Sequence, residues 1–126
     1  MKTKLVSVDD KNVAKTFSDA ISKGKVVVFP TETIYGIGCD ATNIRAIEKI
    51  FKAKSRPIQK MLPIVVSSVK QIEQYANLSK LTKKLIKKFM PGPLTLIVPL
   101  KKSLQPSSKQ KTVAFRITSN KLLQKV

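Results

Sequence analysis

The sequence has no histidine and no tryptophan, one cysteine, and only seven acidic residues among its 126 positions. Without an imidazole, a Ser-His-Asp triad, a Cys-His dyad and a histidine-based zinc site are all excluded within this chain. The few carboxylates are scattered, so no dedicated carboxylate metal cage is indicated. Cys39 cannot form an internal disulfide, which fits a reducing, cytoplasmic setting. With no base to activate it, Cys39 reads as a small packed residue rather than a nucleophile. No apolar run approaches the roughly 18 residues of a membrane-spanning helix. The stretch Met1–Leu5 lacks the apolar core and small-residue cleavage site of a secretion signal.

What is abundant is lysine. The formal net charge is +18, and arginine contributes only Arg45, Arg56 and Arg116. So basic a chain attracts polyanions: RNA, nucleotides or an anionic membrane surface. Lysine-rich faces also arise simply as solvated surface, so charge alone does not select RNA. The hydrophobic fraction of 42% and charged fraction of 25% are those of a soluble globular protein, and the length suits one domain over residues 1–126.

The stretch Val26–Asp40 organises the chain. Val26–Phe29 is β-branched and apolar enough for a buried strand, and Pro30 ends it for lack of an N–H. The following loop carries hydroxyls at Thr31 and Thr33, a carboxylate at Glu32 and a phenol at Tyr35. Gly36 and Gly38 then permit tight turning or close backbone approach. Taken as residue types, these hydroxyls can serve a ligand or only satisfy turn hydrogen bonds. The Gly-x-Gly lacks the third glycine of a dinucleotide fingerprint.

Around this stretch the pattern alternates helices and strands. Asp9 or Asp10 can cap a first helix with Val13, Phe17, Ala20 and Ile21 on its apolar face and Gly24 as its stop. Thr42 or Asn43 opens a second, with Ile44, Ile47, Ile50 and Phe51 as its core stripe, ending before Pro57. Lys54 and Arg56 stand at that helix exit, where a mobile ammonium and a rigid guanidinium fork either grip phosphate or merely complete the helix dipole. A strand starts near Ile64, because Pro63 precedes it. Ser67 or Ser68 caps a short helix carrying Ile72 and Tyr75. Ser79 caps another, with Leu81, Leu85, Ile86 and Phe89 toward the core and Lys80, Lys83, Lys84, Lys87 and Lys88 on its other face. Leu94–Leu100 reads as a central strand buried on both faces. Lys101–Lys111 reads as a polar loop, and Thr112–Ile117 as the last strand. Ser119 or Asn120 opens a final helix whose apolar face is Leu122, Leu123 and Val126.

The order Phe29-Pro30-Thr31-Glu32-Thr33-Ile34-Tyr35-Gly36-Ile37-Gly38 resembles the signature of the YrdC family, the threonylcarbamoyl-AMP synthases of tRNA modification. Ile50–Pro57, Pro91–Leu96 and Thr112–Arg116 match further family stretches in the same order. The resemblance implies an α/β fold, a twisted mixed sheet with flanking helices. It implies condensation of L-threonine, bicarbonate and ATP, with Mg²⁺ accompanying ATP, and product passed to tRNA threonylcarbamoyl-transfer machinery. No side-chain nucleophile is expected, because such a transfer rests on positioning and charge neutralisation. In the implied site Thr31, Thr33 and Tyr35 form the threonine pocket, and Arg116 binds the substrate carboxylate. Lys54, Arg56 and Thr112 contact the nucleotide.

Two departures from the family pattern matter. Leu62-Pro63 reverses the usual proline-leucine order. The later Ser-x-Asn motif is missing, since Ser119-Asn120 is adjacent and too early. The chain therefore resembles the first two thirds of the family domain, with the last third missing. The alternative reading is a non-catalytic module that holds tRNA or double-stranded RNA, or an inactive fragment. A membrane partner is not expected.

Overall fold

A computed structural model describes residues 2–101 and 110–126. The expected loop 101–111 therefore falls largely outside the described residues.

Among the described residues, five helices and five strands follow one another as α1 (Val13–Ser22), β1 (Val27–Phe29), β2 (Gly36–Gly38), α2 (Ile44–Ala53), β3 (Ile64–Val66), α3 (Val69–Glu73), α4 (Lys80–Phe89), β4 (Leu96–Pro99), β5 (Thr112–Ile117) and α5 (Lys121–Lys125). The strands form two small sheets. β1 and β2 are an antiparallel hairpin in which Phe29 faces Gly36 and Val27 faces Gly38. The other sheet is mixed, in the order β3-β5-β4, with β3 parallel and β4 antiparallel to the central β5. The expected mixed α/β architecture with flanking helices is what the chain adopts.

The main core lies under the three-stranded sheet. Ile64, Val66, Val98, Val113, Phe115 and Ile117 meet Ile72 and Ala76 of the α3 region and Ile86 and Met90 of the α4 region. Alternation along β5 puts Val113, Phe115 and Ile117 on this face and Thr112, Ala114 and Arg116 on the other. A second apolar layer is built by the helices beside the hairpin. Phe17 of α1 packs on Phe29 with ring centroids 5.4 Å apart, and α2 buries Ala46, Ile47, Ile50 and Phe51.

Several helix ends are set by residues named from sequence. Asn43, Ser68, Ser79 and Asn120 each accept a backbone N–H of the first turn they cap. Gly24 ends α1 in the left-handed region, at φ +71°. The start of α1 differs from expectation: Asn12 is its cap residue, without a side-chain bond. The Asp10 carboxylate accepts from Asn12 N–H, two positions before the cap.

Burial corrects other expectations. Leu94–Leu100 is no central strand: β4 is shorter and lies at the edge, where Ile97 is 73% exposed. Continuous apolarity told how hydrophobic the run is, but not which strand is flanked on both sides; that is β5. Val26–Phe29 is no buried strand either, because a two-stranded ribbon leaves one face open and Val28 is exposed. Ile44, Leu81 and Phe89 were expected in the core and are exposed. In α4 the buried line runs through Ile86 and Met90, four residues apart, and Leu81 stands well around the helix from it. Phe89 instead carries the Lys88 ammonium 5.4 Å above its ring.

Candidate functional site

The loop joining β1 to β2 is held from inside and from outside. Inside, the Thr31 hydroxyl donates to Ile34 C=O and accepts Thr33 N–H and Ile34 N–H, each at 3.2 Å. The Thr33 hydroxyl lies 3.3 Å from it. Thr31 thus closes its own turn, the ordinary role of a loop hydroxyl. Thr33, Ile34 and Tyr35 are left exposed at the tip. The close approach permitted by glycine is filled by this chain itself. A Cβ on Gly38 would stand 2.8 Å from the Phe29 ring, so glycine lets that ring lie across β2.

Outside, the loop is tied to the end of β5 by Glu32. Its Oε1 accepts the Thr118 hydroxyl, Ser119 N–H at 2.6 Å, the Ser119 hydroxyl at 3.3 Å and Asn120 N–H at 3.2 Å. Asn120 Nδ2 also donates to Pro30 C=O at 3.4 Å. Burial alone would push the Glu32 carboxyl up. The bonds from Thr118, its own N–H, Ser119 and Asn120 outweigh it and hold the pKa down at about 2, against an ordinary 4.5. Sequence reasoning noted this carboxylate but gave it no role. The available signal was that it is the sole acid between Pro30 and Gly38 in an acid-poor chain, with a donor-rich Thr118-Ser119-Asn120 elsewhere.

The other Glu32 oxygen, Oε2, lies 3.6 Å from Arg116 NH1. Arg116 projects from the non-core face of β5, and its Nε and NH2 both donate to the Thr95 hydroxyl at 3.3 and 3.2 Å. The register that pairs Leu96 with Phe115 puts Thr95 beside Arg116 on the neighbouring strand. Thus the signature loop, the Pro91–Leu96 stretch and the last strand, far apart in sequence, converge on one guanidinium.

The remaining expected residues are placed elsewhere. Thr112 begins β5, about 13 Å along the strand from Arg116 at its usual rise, though on the same face. Lys54 ends α2 and is exposed. Ser55 then takes a left-handed φ of 48°, and Arg56 turns back on its own loop. Its Nε donates to Lys60 C=O at 2.7 Å and its NH2 to Met61 C=O at 3.1 Å. This fixes the guanidinium plane and leaves NH1 without a part in those bonds. Cys39 is half-buried, and burial, then the nearby Asp40 charge, push its thiol up to about 11 despite Lys49. Such a thiol is a poor nucleophile. No group of three or more candidate metal-ligating side chains occurs among the described residues. Among them too, no helix is long and apolar enough to cross a membrane.

Residues 19–126 match the family described as Telomere recombination, which comprises the Sua5, YciO and YrdC proteins. The chain is 38% identical over 112 residues to the threonylcarbamoyl-AMP synthase of Photobacterium profundum, covering 85% of this chain and 60% of that one. It is 40% identical over 106 residues to that of Psychromonas ingrahamii, covering 80% and 56%. A solved structure of P. abyssi Sua5 complexed with L-threonine superposes with a TM-score of 0.79 at 36% identity, over 89% of this chain and 34% of that one. The chain spans less than two thirds of the length of each of these relatives.

Proposed function

Because the chain belongs to the Sua5/YciO/YrdC family, we propose that its fold serves the synthesis of threonylcarbamoyl-AMP from L-threonine, bicarbonate and ATP·Mg²⁺, for tRNA modification. The observation that carries this reading is the convergence of the signature loop and Thr95 on Arg116, with Glu32 between. A guanidinium offers five N–H donors in a planar fork, and here two of them share a single hydroxyl. It therefore retains donors for a substrate carboxylate. The L-threonine complex of a structural relative supports threonine as that ligand.

In the proposed reaction, threonine's amine and bicarbonate give a carbamate and water. A carbamate oxygen then forms a bond to the α-phosphorus of ATP, and the bond to the β-phosphate oxygen breaks, releasing pyrophosphate with the electron pair. The protein's share is positioning and charge neutralisation. Arg116 holds the threonine carboxylate. Thr31 sets the loop that, with Thr33 and Tyr35, bounds the threonine pocket. Lys54 and Arg56 neutralise phosphate oxygens, Arg56 with a plane already fixed by Lys60 and Met61. Thr112 contacts the nucleotide. Mg²⁺ enters with ATP, since hydrated Mg²⁺ bound by phosphates needs no all-protein cage.

The test is threonine- and bicarbonate-dependent exchange of labelled pyrophosphate into ATP. Arg56→Ala is expected to abolish exchange with circular dichroism unchanged; unaltered exchange removes Arg56 from the site. A second reading has its own observation. Lys80, Lys83, Lys84, Lys87 and Lys88 are all exposed on α4, a surface suited to tRNA or double-stranded RNA held without chemistry. Salt-steep RNA affinity with no exchange activity would favour it.

A further inference from the structure

Resting on the threonine reading above, we propose that Glu32 and Arg116 together select a zwitterionic amino acid over a simple carboxylate, with Glu32 Oε2 accepting the ligand's ammonium. The two oxygens of Glu32 differ in what they do. Oε1 is saturated by donors from Thr118, Ser119 and Asn120, which lock the carboxylate in place. Oε2 faces Arg116 NH1 across 3.6 Å, longer than the 2.7–2.9 Å of a closed charge-assisted bond. The ion pair is thus held open rather than collapsed. Both side chains keep some exposure, 23% for Arg116 and 12% for Glu32.

An open pair of opposite charges complements a molecule whose own opposite charges lie a few ångströms apart. An α-amino acid places its carboxylate on Arg116 and its ammonium on Oε2, and both protein charges are matched. A carboxylate without an amine meets the guanidinium but also the repulsion of Oε2. Arg116 alone in a chain of net charge +18 would bind small anions indiscriminately; Glu32 cancels that attraction locally. Before carbamoylation the bound ammonium gives up its proton to solvent, since its nitrogen needs a free lone pair to form the bond to carbon.

Calorimetry in bicarbonate-free buffer tests this with three probes sharing one skeleton: L-threonine, 3-hydroxybutyrate, which lacks the ammonium, and L-threoninol, which lacks the carboxylate. The unaltered chain is expected to bind threonine at least about tenfold tighter than either analogue, the scale of one charge-assisted contact. Glu32→Gln keeps an oxygen for Thr118 and Ser119 but loses the charge. It should lower the preference for threonine over 3-hydroxybutyrate by about tenfold, while 3-hydroxybutyrate itself binds no worse. A merely structural role would weaken both ligands together and leave their ratio unchanged, which overturns the proposal. Equal binding of threonine and 3-hydroxybutyrate by the unaltered chain overturns it without any variant, while leaving the threonine site standing. Binding of none of the three removes the threonine reading itself, and this inference with it.

Discussion

Four donors on one oxygen favour the ionised form of Glu32, and the cost of losing that charge appears in stability. Its folded pKa of about 2 lies below the ordinary 4.5. The contribution is therefore complete above the higher value and is lost as pH falls through the lower one. Urea midpoints should accordingly decline through that acid window, and Glu32→Gln should flatten this part of the decline; an unchanged profile would show that the network does not form. Cys39 is expected to react with a thiol reagent at pH 8 more slowly than a free thiol, and Cys39→Ser to retain pyrophosphate exchange. Fast reaction, or lost exchange in a folded variant, would contradict its packed role. At this scale the sequence pointed to Arg116 and the loop hydroxyls but not to their partners. Thr118 and Ser119 lie more than 80 positions from Glu32, and such pairing leaves no local pattern to read.

Elements whose signals are local were legible: the proline before β3, the caps at Asn43 and Ser79, Gly24 after α1, and the run that became β5. Which face of an element is covered is not local. β4 and β5 are both apolar, yet among the described residues only β5 has strands on both sides. Ile44 and Phe89 fit their helical stripes but overhang what the helices pack against. Among the described residues Phe115 is the largest fully buried side chain, and it sits at the centre of the sheet. Phe115→Ala should cost about 3–5 kcal/mol in urea unfolding, whereas Ile97→Ala on the exposed edge should cost under about 1 kcal/mol. Comparable losses would contradict the placing of Ile97 on an exposed edge. Asn43→Ala should remove about 1 kcal/mol through its lost bond to Ala46 N–H.

For the molecule as a whole, the two sheets and their helices serve to bring distant segments together. The hairpin delivers Glu32, β4 delivers the Thr95 side of the site, and β5 delivers Arg116. The fold family was legible from ordered motifs, while the convergence of those motifs on one guanidinium required the structure. The excess of lysine bears on partners rather than on fold. If the α4 face binds RNA, affinity should fall steeply with salt and survive Arg116→Ala. The measurement that bears most directly on the central claim is calorimetric titration of the 126-residue chain with L-threonine, alongside Arg116→Ala. Saturable binding by the unaltered chain and none by the folded variant is the predicted result. No threonine binding by the folded chain, or equal binding by both, would contradict a site built around Arg116.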